Sequence, residues 1–304
     1  MMANVPPAFN QDPARFIADF IKSFVRDNPE NRLTHIDGSP IWDEPLVGFA
    51  RGDDPLFQEY KQVIGSFHLT PREVMERALA ERPGAPEPGG SLSVICWVLP
   101  AAEKTRRSNR RQKESPSKQW AHTRMYGEML NARVRQEVAG LLEGLGYAAV
   151  APFTTSFFQR VDLPNGPASN WSERHALYAA GLGTFSLTDG FITPKGMAMR
   201  CGSVVTTLEL PPTPRQYAHH YANCPFYVDG SCGACITRCP AQAITEKGHD
   251  KLKCQAYLRR ISAELQAKYQ VTTAVGCGLC QTAVPCESRI PKIKAAAAPV
   301  PPPA

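Results

Sequence analysis

The sequence predicts an α/β domain followed by a small cysteine-organised module, with a helical extension at the N-terminus. Three observations predict it. Strand-like apolar runs alternate with helix-period segments between residues 93 and 210, the pattern of an α/β unit. Eight of the ten cysteines fall between Cys224 and Cys286. Ahead of both lie two capped helix signatures separated by sequence punctuated with Pro and Gly. The resulting division is a helical N-terminal extension (1–87), an α/β domain (88–215), a cysteine module (216–291) and an Ala/Pro tail (292–304) expected to stay extended.

In chain order, "DPARFIADFIKSFVRDN" offers Asp12 as an N-cap and Pro13 at the first helical position, with Phe16, Ile17, Phe20, Ile21, Phe24 and Val25 on one face. "TPREVMERALAER" repeats the logic with Thr70 and Glu73 as a capping box. "PGAPEPGG" marks a boundary. "SLSVICWVLP" suits a buried strand, "RMYGEMLNARVRQEVAGLLEGLG" a long helix stopped by glycine, and "YAAVAPF" a second strand. "SERHALYAAGLG" reads as a shorter helix capped by Ser172, and "GSVVTTLEL" as a strand.

Composition narrows the class. With 304 residues, 43% of them hydrophobic and 20% charged, the chain has the make-up of a soluble globular protein. It lacks any run of about 18 apolar residues that could cross a bilayer. "MMANVPPAFNQDPARF" has neither the basic start nor the apolar core of a secretion signal, so a cytoplasmic location without membrane contact is expected. In a reducing compartment, clustered cysteines bind metal or carry electrons more often than they form disulfides. The net charge of +6 permits an anionic partner. "KTRRSNRRQK", from Lys104 to Lys113, with Trp120 and Tyr126 after it, is a candidate phosphate-binding surface or, on the plainer reading, a solvated loop.

The cysteines form two sets of four. The first is Cys224-x7-Cys232-x2-Cys235-x3-Cys239-Pro240, and the second is Cys254-x22-Cys277-x2-Cys280-x5-Cys286. Two-cluster ferredoxins use a Cys-x2-Cys-x2-Cys-x3-Cys-Pro run whose fourth cysteine serves the other cluster. The segment from Cys232 to Pro240 fits that run, while its expected first cysteine is Asp229, so Cys224 has to reach in from a loop. A ferredoxin-like module with two [4Fe-4S] clusters follows, one on Cys224, Cys232, Cys235 and Cys286, the other on Cys239, Cys254, Cys277 and Cys280. The alternative is structural zinc on the pairs 232/235 and 277/280, which leaves the other four thiols without a role. Cys96 and Cys201 lie outside the module and read as buried small side chains. His122 is the histidine best placed near a cofactor, but it is not assigned as a ligand, and an ordinary surface or helix-start position is the preferred reading.

Two clusters account for electron transfer but not for the α/β unit before them. Residues "RVD" at 160–162, "ERHALYAAGLG" at 173–183, "CGSVVTTLEL" at 201–210 and "CQAYL" at 254–258 together resemble the cobalamin-dependent epoxyqueuosine reductase and reductive dehalogenase family, over about residues 90–291. The resemblance implies an α/β corrinoid-binding domain beside the two clusters. It also implies electrons from a low-potential ferredoxin or flavodoxin, and reductive removal of oxygen or halide from a small-molecule or tRNA-borne substrate. Carried over by position, Asp162 is the proton donor, while Arg160, Gly181, Gly183 and Ser203 are corrinoid contacts. Read from the residues alone, Asp162 could equally cap the turn "VDLPNG", Gly181 and Gly183 could simply stop a helix, and Glu173 could serve a helix start. A ferredoxin-type carrier without corrinoid, reducing a partner protein, is the competing reading.

Overall fold

The computed structural model describes residues 6–82, 89–273 and 276–293. The first stretch holds helices α1 (Pro7–Gln11) and α2 (Pro13–Asp27), strand β1 (Leu46–Arg51), and helices α3 (Leu56–Val63) and α4 (Pro71–Ala80). Next come β2 (Ser93–Pro100), α5 (Glu103–Arg110), α6 (Lys118–Gly144) and β3 (Ala149–Val150). A hairpin, β4 (Arg160–Leu163) with β5 (Gly166–Ser169), precedes α7 (Glu173–Ala179), the small pair β6 (Thr184–Phe185) and β7 (Phe191–Ile192), and β8 (Met199–Thr206). The cysteine segment contributes α8 (Pro225–Asp229), α9 (Ala234–Arg238), β9 (Ile244–Thr245), β10 (Gly248–His249) and α10 (Lys251–Tyr269).

Four strands make the central sheet in the order β1-β2-β8-β3, each neighbouring pair antiparallel. Strand β2 sits between two partners and is buried along its whole length, which is why its sequence is an unbroken apolar run rather than an alternating one. Ile95, Trp97 and Leu99 point to one face, where they meet Ile17, Ile21 and Val25 of α2 and Leu130, Val134, Val138 and Leu142 of α6. Val94, Cys96 and Val98 point to the other, against Phe57 and Tyr60 of α3, Val74 and Met75 of α4, and Ala176 and Leu177 of α7. The four α6 residues recur every fourth position, so one stripe of that helix is buried. Each such aliphatic side chain contributes roughly 1.5–3 kcal/mol by leaving water.

Local signals behave as read in several places. Asp12 accepts the Arg15 N–H at 2.9 Å with Pro13 following, and Thr70 with Glu73 forms the reciprocal capping box. Cys96 is fully buried in β2. Other expectations change. Residues 1–87 were expected to be helical, but they also supply β1, the edge strand paired with β2 from Leu46↔Val98 to Arg51↔Ser93. The long helix begins at Lys118, capped by the Ser117 hydroxyl. The boundary stretch 83–88 and the tail from residue 294 lie outside the described residues.

The basic run is a helix rather than a loop over Lys104 to Arg110, and it is solvated at five of its six cations. It forms α5, and its cations are engaged: Lys104 with Asp37 at 2.9 Å, Arg106 with Glu103 at 2.8 Å and Asp43 at 3.2 Å, Arg110 with Glu287 at 2.6 Å. Of the six cations Arg106 alone is buried, so the run keeps an exposed basic face.

His68 gives the molecule a pH-dependent stability. Its ring is 1% exposed, stacks on Trp171, and its Nε2 accepts the Ser172 N–H at 3.1 Å. Burial, with the nearby Lys61 charge, pushes it down from 6.5 to about 4. A histidine held neutral in the fold is matched by one that gains a proton on unfolding, so the stabilisation is complete above pH 6.5 and is lost as the pH falls towards about 4. Half-way, near pH 5, the loss is about 2 kcal/mol. Urea denaturation midpoints should fall accordingly between neutral pH and pH 5, and a midpoint constant over that range would refute the assignment.

Candidate functional site

The eight late cysteines are placed by short elements. Cys224 precedes α8 at its N-cap, Cys232 and Cys235 bracket the start of α9, and Cys239 closes α9 with Pro240 behind it. Cys254 sits in the first turns of α10, Cys277 precedes the 3-10 turn at Leu279–Gln281, and Cys280 lies within it. All ten cysteines are free. Cys224, Cys232, Cys235 and Cys286 line one apolar hollow, closed by Leu187, Met197, Phe226 and Val284. Burial raises the Cys286 thiol, and the adjacent Cys224, Cys235 and Cys232 raise it further. Cys235 is pushed up to about 12 by burial and by Cys224 and Cys232.

The second set behaves in parallel. Burial pushes Cys277 up to about 11, with Cys254 and Cys239 adding to it, and Cys280 is raised by burial and then by Cys277, Cys254 and Cys239. Cys235 also acts on Cys280, so the two sets are neighbours. Among the described residues no three His, Cys, Asp or Glu side chains converge on a point that would hold a single metal ion. The first four thiols instead line a space.

The module is fastened to the α/β body around Glu287. This carboxylate, 4% exposed, accepts from Arg110 Nε at 2.8 and 2.9 Å and from the Ala283 N–H at 2.7 Å, and lies 3.5 Å from Arg106 Nε. On either side of it, the Met197 and Ala198 N–H groups donate to the carbonyls of Cys286 and Glu287 at 2.9 and 3.2 Å. Asn109 of α5 donates to the Cys277 carbonyl at 3.2 Å, and Arg238 spans to Leu279, Thr282 and Gln112 carbonyls. Helix α10 packs on α6 through Leu265, Val271, Ala121 and Met125.

The remaining candidate residues are less concentrated. Asp162 and Arg160 are exposed on the β4–β5 hairpin. Gly181 is the left-handed residue that ends α7: its N–H donates to the Tyr178 carbonyl and the Leu182 N–H to that of Leu177, both at 3.1 Å. A Cβ on Gly181 would stand 2.8 Å from the Pro214 carbonyl oxygen, and one on Gly183 would collide with that of Ile192. Both glycines thus answer to protein backbone. Ser203 is fully buried, accepting from Trp171 Nε1 at 3.0 Å and donating to Glu173 at 2.5 Å. Glu173, raised by burial, lies 3.6 Å from Arg135 Nε. His122 is a correction: it is buried, with Nε2 2.7 Å from the Tyr269 carbonyl, and ties α6 to the end of α10. Cys201 is part-buried, its thiol pushed up to about 12 by burial and by Glu173.

Two features carried no sequence signal of their own. His249 bonds Asp189 at 3.2 Å; burial lowers its affinity for protons, but Asp189 and Cys254 together raise it to about 9. A cleft of about 100 Å³ lined by Trp42, Trp120, Arg124, Arg200 and Gly276 opens beside Cys277.

No family model and no curated protein matches the chain. Among solved structures it is similar to epoxyqueuosine reductase from Bacillus subtilis, with 15% identity over 91% of this chain and 68% of that one, TM-score 0.48. It is similar also to epoxyqueuosine reductase with a tRNA-Tyr epoxyqueuosine-modified stem loop, 16% identical over 90% of this chain and 64% of that one, TM-score 0.47. A third is a catabolic reductive dehalogenase in complex with 3-bromo-4-hydroxybenzoic acid, 16% identical, TM-score 0.48; the match covers 81% of this chain and 30% of the dehalogenase. Among the described residues no helix is long and apolar enough to cross a membrane.

Glu287→Ala leaves Arg106 and Arg110 facing a void and should cost about 3 kcal/mol, the scale for breaking a buried pair. A melting temperature unchanged in this variant would show that the module is held elsewhere.

Proposed function

We propose that the chain is an iron–sulfur oxidoreductase with two [4Fe-4S] clusters, one on Cys224, Cys232, Cys235 and Cys286 and one on Cys239, Cys254, Cys277 and Cys280. Electrons from a low-potential ferredoxin or flavodoxin would pass through them to an organic substrate on the α/β body. The observation that carries this reading is the hollow walled by the first four thiols. A cubane spreads its ligands around a cage, whereas zinc draws four donors to about 2.0–2.3 Å from one point. Buried thiols that raise one another also suit a cationic iron centre, which favours the thiolate form. The disulfide alternative meets ten free thiols.

When bound, the clusters supply one-electron reducing equivalents at a potential set by burial and hydrogen bonding around the sulfurs. The protein's part is to hold them. Met197 and Ala198 fix the Cys286 peptide, and Asn109 fixes that of Cys277. His249 reaches Cys254 while its other side is held by Asp189, which fixes the ring. The Ala243 N–H lies 3.3 Å from the Cys239 sulfur, a bond that would strengthen towards thiolate.

Reductive deoxygenation or dehalogenation is the reaction class that the sequence resemblance suggests, with Asp162 as the proton donor. That aspartate is exposed, so the burial such a role calls for has to come from the bound substrate. Cobalamin fits the chain less well than the clusters do. Of the residues expected to cradle it, Gly181 and Gly183 close on backbone and Ser203 is sealed behind Trp171 and Glu173; only Arg160, on its exposed hairpin, is accessible.

Anaerobic reconstitution with iron, sulfide and cobalamin tests the proposal. About eight irons and eight sulfides per chain are expected, and Cys286→Ala and Cys277→Ala should each remove about half of them. Tightly held zinc without labile sulfide would overturn the cluster assignment. Stoichiometric uptake of cobalamin would restore the corrinoid reading. Intact clusters that reduce a partner protein, but no organic halide or epoxide, would make the chain a carrier.

A further inference from the structure

The cleft beside Cys277 is built for charge. Arg124 leaves α6 one turn before Glu128, and its stem lies along the peptide that leads to Cys277: a methyl group on Gly276 would stand 3.8 Å from Arg124 Cδ and Nε. Arg200 enters from the first turn of β8. Its nearest carboxylate is Glu128 at 4.0 Å, and Glu128 is already bonded to Arg135 at 3.0 Å. Among the described residues, Arg124 has no carboxylate within ion-pairing distance. Burial and the neighbouring Arg200 charge push Arg124 down to about 10, which still leaves it cationic at neutral pH.

The walls are mixed, two indoles and Met199 beside the polar Thr123 and Gln281. Trp42, 4% exposed, packs against Gly127 of α6 with its Nε1 donating to the Gly127 carbonyl at 3.3 Å, and the indole of Trp120, 8% exposed, packs against Gly278. Sites for larger ligands run to about 300–1,000 Å³. A cleft of about 100 Å³ therefore admits only a small molecule and is no place for a macrocycle. Guanidinium groups match carboxylates in shape as well as in sign, and indole faces favour an apolar body.

We propose that this cleft is a binding site for a small organic carboxylate with an apolar body, seated between Trp42 and Trp120 with its charge on Arg124 and Arg200, against the peptide of Cys277. The site rests on the reductase reading only for its purpose; carboxylate binding itself needs no electron transfer. A ligand held there is separated from the second set of thiols by one peptide, so it is positioned either as the substrate to be reduced or as a ligand that senses that cluster.

The test uses the full chain, with iron and sulfide measured on every sample so that the state of the clusters is read independently of binding. Benzoate, its neutral isostere benzamide, and inorganic phosphate are titrated by calorimetry, with tryptophan fluorescence as a second readout. Saturable benzoate binding that weakens with salt, with benzamide at least tenfold weaker, is expected. Arg124→Gln and Arg200→Gln should each weaken benzoate at least tenfold, with Arg124→Lys in between, while circular dichroism and melting temperature certify folding. Three results would overturn the proposal. They are no benzoate binding at millimolar concentration in well-folded protein, phosphate binding tighter than benzoate, or glutamine variants that change cluster content or potential while leaving benzoate affinity intact. The last would mean that both arginines serve only to offset the charge of the thiolates.

Discussion

A carboxylate taken out of water must be paired, and in this protein the pairing of Glu287 decides how two differently built regions meet. The cysteine segment has little core of its own: its apolar cluster borrows Leu187, Ile192 and Met197 from the loop before β8. Glu287 sits one residue after Cys286 and is held by two arginines of α5, a helix that follows β2 directly. The backbone bonds from Met197 and Ala198 lie on the same seam. Cys286, the segment entering the inner strand β8 and the basic helix are thereby locked to one buried charge. Removing one partner of such a group costs more than the pair itself contributes, so the junction is held all or nothing.

That junction explains the fate of the basic run. Six cations in ten residues read from sequence as solvated or as a phosphate grip, because sequence shows charge and not its partner. Glu287 lies 177 residues from Arg110, and no local pattern links them. The same blindness applies to Ser203, whose hydrogen bonds to Trp171 and Glu173 join a strand residue to a loop and a helix start 32 and 30 residues earlier in the chain.

Where a signal is local and steric, the sequence was legible. The unbroken apolar run of β2, the capping box at Thr70 and the glycine stop of α7 each follow from interactions within a few residues. Strand β1 escaped because "LVGFAR" is short and holds a glycine, so only its pairing with β2 makes it a strand. Helix α10 escaped because it is amphipathic only weakly: one of its residues, Leu265, is fully buried. Of the candidate site, the gathering of Cys224, Cys232, Cys235 and Cys286 was legible because the spacing of the thiols is itself a local pattern in the sequence. The motif glycines were ambiguous, since a backbone that must approach a ligand and a backbone that must approach another strand ask for the same residue.

The placement of the cationic cleft then has a physical rationale beyond its own ligand. Arg124, Arg135 and Arg200 gather around Glu128 and Glu173, and burial raises Glu173 towards its neutral form. Positive charge is therefore in surplus at the end of α6 that faces Cys277. A partly buried guanidinium is weakly hydrated and seeks an anion, and under the cluster proposal the four thiolates of the second set would be anionic. Cations near that set favour its thiolate form, and the set in turn lowers the cost of burying the cations. An incoming carboxylate competes for the same field: as it binds Arg124 it withdraws positive charge from the neighbouring sulfurs, which makes adding an electron to that cluster less favourable. Any ligand of the cleft is for that reason coupled to the redox state of the second set by electrostatics alone, without movement of the backbone.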